Sequence, residues 1–228
     1  MRILASCLLM ASMSLRAAAP VTGVDVVDPV AEFSRLAMMQ GDCAARQVRL
    51  PVLPGGLDIA QTVTPDVHRV LYRMSFNQVT EGWNWHPEAV RADQDYYQYK
   101  FLPIASVDEA RGSYRGEDKI GDPQDFRVEW RYDYFFAFEN LYDFFPRQAD
   151  DDAGFSAEIT GNVPADQLAM AVDVVLRPPC TSESTTFWKA VHARPVDFTL
   201  KKRYLLGDLK AVLFIDRRTG AILHRIVR

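Results

Sequence analysis

Cysteine is scarce, with three in 228 residues. None forms a C-x-x-C pair, which argues against dithiol redox chemistry. The chain has no P-loop, no G-x-G-x-x-G, no H-E-x-x-H and no G-x-S-x-G. The usual phosphate cradles, the zincin helix and the nucleophile elbow are therefore missing. His86 and Glu88 lack a third ligand at metal-binding spacing, so no metal and no cofactor is expected. There is no N-x-[ST] sequon, internal repeat or low-complexity tract. No basic-aromatic reader pattern is present and the net charge is -4, so nucleic acid is not an expected partner. Beyond the first residues no apolar run is long enough to span a bilayer as a helix.

The first residues carry an address. Arg2 gives a positive start, Ile3 to Leu15 is mostly apolar, and Ala17-Ala18-Ala19 is an A-x-A site before Pro20. This is the pattern of a signal peptide over 1–19, leaving one domain over 20–228. The expected location is the periplasm or outside the cell, with no integral membrane segment after cleavage. Cleavage also leaves Cys43 and Cys180, which only each other can pair in an oxidising compartment. It takes Arg2 and Arg16 from the 26 basic residues, leaving 24 against 30 acids. The last part is the exception: 194–228 holds nine Lys/Arg against Asp197, Asp208 and Asp216. Either this basic tail packs on the acidic body, or it faces an anionic partner.

Phe126, Val128, Trp130, Tyr132 and Tyr134 alternate with Arg127, Glu129, Arg131 and Asp133, as in a half-buried central strand. Aromatics continue to Phe145. Before it, Asp28-Pro29 opens a helix with Val30, Phe33 and Leu36 at helical spacing. Thr64-Pro65 opens a second, with Val67, Val70, Leu71 and Met74 on one face. Residues 48–62 read as a loop or short strand, 95–102 as a strand, and 105–125 as a long surface connection. Residues 155–160 read as a strand, whereas 164–176 suits helix or strand. At the end, Val196, Phe198 and Leu200 alternate. Asp216-Arg217-Arg218-Thr219-Gly220 then joins 209–215 to 221–227 as a hairpin, with His224 pointing out. The expected fold is α+β: N-terminal helices packed on a mainly antiparallel β-sheet with a C-terminal β-hairpin.

The loop EGWNWHPE, 81–88, is the most functional-looking stretch. Trp83, Trp85 and His86 are its candidate ligand-binding residues, though a Trp pair beside a proline also suits a packed cap on the core. Two functions follow. One is an exported, non-catalytic binding or accessory protein of the cell envelope, its partner an envelope protein or glycan. The other is an envelope-polymer (glycan) hydrolase with carboxylates or His86 in a cleft. The residues leave enzyme or non-enzyme open.

Overall fold

The computed structural model describes residues 24–39, 42–43, 45–53, 58–64, 67–74, 100–117, 121–138, 140, 153–160 and 163–227. It is a mostly β molecule whose main sheet curls into a half-barrel. The elements are β1 (Asp25–Val26), α1 (Pro29–Met38), β2 (Gln47–Val52), β3 (Asp58–Thr64), β4 (Val67–Met74), β5 (Lys100–Glu117), β6 (Pro123–Phe138), β7 (Ala153–Thr160), β8 (Leu168–Trp188), β9 (Val196–Asp216) and β10 (Ile222–Val227). The seven-stranded sheet has the order β1-β2-β8-β9-β6-β5, with β10 also paired to β9. A smaller sheet has the order β3-β4-β7.

The expected α+β fold with several N-terminal helices is therefore corrected: among the described residues α1 is the single α-helix. It forms where expected. Asp28 accepts a hydrogen bond from Ala31 N at 2.8 Å, satisfying one of the free donors of the first turn. Phe33 and Leu36 are buried, while Met38 is exposed. The second expected helix is strand β4, between β3 and β7 in register from Val67 to Met74. Its i, i+3, i+4, i+7 spacing fits a helix, but strand partners on both sides override that local pattern. The expected connection over 105–125 is largely strand too, since β5 pairs with β6 as far as Glu117. Most of its side chains from Ser106 onward are exposed, so burial left no period there to read.

Two long strands set the shape. β9 pairs with β6 in parallel over 196–206 and with β10 antiparallel over 211–215. β8 pairs with β2 over 170–175 and with β9 along both of its halves. The β8–β9 pairing breaks between Leu176 and Thr181, around Pro178-Pro179. Cys180 in that break is bonded to Cys43 just after α1. Opposite it, Gly207 pairs with Leu176, and a Cβ there would strike the Val175 carbonyl oxygen. Only glycine lets the strands approach so closely.

The sheet therefore has a root and an arm. At the root, α1 and the inner sheet face bury Phe33, Leu36, Leu50, Leu102, Phe136, Val172, Leu209 and Phe214. The arm is the four-strand extension β8(181–188)–β9(196–204)–β6–β5. The C-terminal hairpin is as expected, with Gly220 at φ 73 in its turn. His224 departs from expectation. It is half-buried, with its ring 6.2 Å from the core side chain Phe214.

Candidate functional site

Strand register decides which side chains share the arm's inner face. On β6, Trp130, Tyr132 and Tyr134 lie on the side of Phe136, which is in the core. Their β9 partners are Thr199, Lys201 and Arg203. The matching β8 residues are Phe187, Thr185 and Glu183, and the matching β5 residues are Glu109, Val107 and Ala105. Arg111, two residues past Glu109 on β5, falls on the same side and pairs with it at 2.8 Å. The β5–β6 register slips just there, between Ala110 and Gly112.

The outcome is a row of cations over aromatic rings. The Arg203 guanidinium lies 4.4 Å from the Tyr132 ring centre and 5.1 Å from that of Phe33 on α1. Arg111 lies 4.6 Å and the Lys201 Nζ 5.4 Å from Trp130. Arg203 Nη1 donates to the Tyr134 hydroxyl at 2.8 Å, and Arg111 Nη2 to the Tyr132 hydroxyl at 3.0 Å. Glu183 on β8 faces Arg203 directly and Lys201 diagonally. It accepts from Arg203 Nε at 2.6 Å and from Lys201 Nζ at 2.8 Å. Burial pushes the Glu183 carboxyl up, but those two hydrogen bonds and charges outweigh it and hold it below the usual range.

A second carboxylate closes the arm's far end. Asp197 accepts from the Tyr114 hydroxyl at 2.8 Å, Lys189 Nζ at 2.9 Å and Ala190 N at 2.8 Å. Burial pushes it up as well, and these donors pull it below its ordinary value. The cluster ties β5, the segment after β8 and the start of β9 together. On the outer face, Glu129 pairs with Arg127, and Asp133 accepts from Arg131 and Ser106.

Trp83, Trp85 and His86, the candidates of the 81–88 loop, lie outside the described residues. The expected Cys43–Cys180 disulfide is present. Part of the basic tail packs on the body, since Arg225 reaches Asp173 and both Lys201 and Arg203 reach Glu183. Sequence reasoning missed Arg111, Glu183, Lys201 and Arg203 as a group. On β9 it followed the apolar alternation Val196, Phe198, Leu200, which is the opposite side of the strand from Lys201 and Arg203. The only available signal was the complementary alternation Thr199, Lys201, Arg203, and its partners depend on register.

Among the described residues no group of three or more His, Cys, Asp or Glu could hold a metal ion. No helix among them is long and apolar enough to cross a membrane. That observation and the disulfide are compatible with export. No protein-family model matches the chain, and no curated protein or solved structure is similar to it.

Proposed function

We propose that this chain is an exported, non-catalytic binding protein of the cell envelope, working in the periplasm or outside the cell. Its ligand would lie on the inner face of the arm. The observation that carries this reading is the joint placement of Trp130, Tyr132, Arg111, Lys201 and Arg203 over one stretch of sheet. Aromatic area beside a few fixed polar groups is the usual make-up of a ligand surface. The carboxylates argue for binding over turnover. A glycan hydrolase needs a carboxyl raised toward neutrality to act as acid. Glu183, Asp197 and Asp216 are all held the other way, below their ordinary values.

The test is a thermal-shift screen of residues 20–228 against envelope glycans, with each hit incubated and checked for breakdown. A ligand that binds only the folded chain raises the melting temperature. The expected result is a shift with at least one glycan, an intact ligand afterwards, and no shift in a folded Trp130→Ala variant. Ligand breakdown that persists in catalytic amounts of pure protein would favour the hydrolase instead.

A further inference from the structure

We propose that the arm's inner face takes a carboxylate-bearing glycan chain, an inference that rests on the binding function above. Three observations point to this ligand chemistry. First, three cations beside Trp130 and Tyr132 (Arg111, Lys201 and Arg203) face two carboxylates, Glu183 and Glu109, the latter paired with Arg111 at 2.8 Å. Among the described residues Arg203 donates to Glu183 and Tyr134, and Lys201 donates to Glu183 alone. A guanidinium carries five N–H donors and an ammonium three, so several remain for a ligand's oxygens. Second, the face offers apolar contact on either side of those cations. Phe187 on β8 is 56% exposed and Val107 on β5 is 41% exposed, both on the inner side. Sugar rings present flat C–H faces that pack on such side chains, while their carboxylates meet the guanidinium and ammonium groups. Third, the four strands span about 14 Å, enough for an extended chain and more than a single small anion needs.

The alternatives fit less well. A bilayer is flat and would meet the rims and tip of a curled sheet before its inner face. A peptide docking by strand addition uses main-chain groups at a sheet edge, whereas this face presents side chains only.

Glu183 makes the proposal sharp, because its carboxylate occupies the two cations that a ligand carboxylate would want. Glu183→Gln keeps the shape and removes the competing charge. Isothermal titration with oligogalacturonate, one carboxylate per sugar, is the measurement. The fully methyl-esterified oligomer supplies the same chain without charge, and phosphatidylglycerol vesicles supply anionic charge without sugar. The acid oligomer should bind, weaken with added salt, and bind several-fold tighter to Glu183→Gln. It should bind roughly tenfold weaker to Lys201→Met and to Arg203→Met, the loss expected for one charge-assisted hydrogen bond. Circular dichroism confirms that each variant is folded. No binding of the acid oligomer, or equal binding of its ester, overturns the carboxylate proposal. Equal ester binding that still falls with Trp130→Ala leaves the inner face as the binding site. Binding of the acid oligomer unchanged in all four variants overturns that site as well. Binding to the vesicles alone assigns the cations to a membrane surface and also overturns the proposal.

Discussion

At the scale of single residues, the arm depends on charge held over aromatic rings. Such contacts contribute about 0.5–2 kcal/mol each, more as water is excluded. Arg203 has the most to hold, since it lies over Tyr132, Tyr134 and Phe33 and pairs with Glu183. Glu183 therefore gives a pH signature with a definite sign. Its folded pKa lies below the unfolded value, so the stability it adds is present above roughly pH 5. That stability is lost as pH falls through the folded pKa. Melting temperatures of the wild type and Glu183→Gln should differ near neutral pH, with the variant lower, and converge in acid. A gap that stays constant from pH 7 down to pH 3 would mean that the ionised carboxylate is not what stabilises. Asp28→Ala, which removes the cap of α1, should cost about 1 kcal/mol in denaturant unfolding.

At the scale of elements, a strand with one wet and one dry face is legible in the sequence. The β6 alternation from Phe126 to Tyr134 survives in the fold, as do the cap and start of α1 and the turn at Gly220. β4 was misread because its apolar spacing fits a helix and its two strand partners are distant in sequence. The start of β5 falls within the strand expected over 95–102, but from Ser106 onward neither face is consistently buried and the sequence carries no strand signal there. The site was less legible than the fold. Glu183 and Arg203 meet only through the β8–β9 register, and Arg111 reaches Trp130 and Tyr132 only through the β5–β6 register. The approach of β8 to β9 is itself testable. Gly207→Ala places a methyl against the Val175 carbonyl oxygen and should destabilise by about 1–3 kcal/mol. A Cβ at Gly220 meets nothing within 4 Å, so Gly220→Ala should cost only the left-handed backbone term of about 1–2 kcal/mol. Equal midpoints for the Gly207 variant and wild type would mean that the two strands can separate freely at the break.

At the scale of the whole molecule, one covalent link joins the end of α1 to the point where β8 interrupts its pairing. The sequence separation of 137 residues makes this a long loop, worth about 4–5 kcal/mol in the chain-entropy model. Cys43→Ser with Cys180→Ser should lower the melting temperature by many degrees, and a reducing agent should do the same to the wild type. The tail's basic charge also acts at this scale, because Arg225, Lys201 and Arg203 are held by acids of β8. Two of these, Lys201 and Arg203, lie on the arm, where rings and cations share one face of the curled sheet.

The most direct measurement is therefore where a ligand lands. The protein would be labelled with a diffusible carbene, alone and with the best hit of the glycan screen, and read residue by residue by mass spectrometry. Protection of Val107, Trp130, Tyr132 and Phe187 is the expected result. Protection confined to Trp83, Trp85 and His86, with the arm labelled equally in both states, would contradict the arm as the binding face.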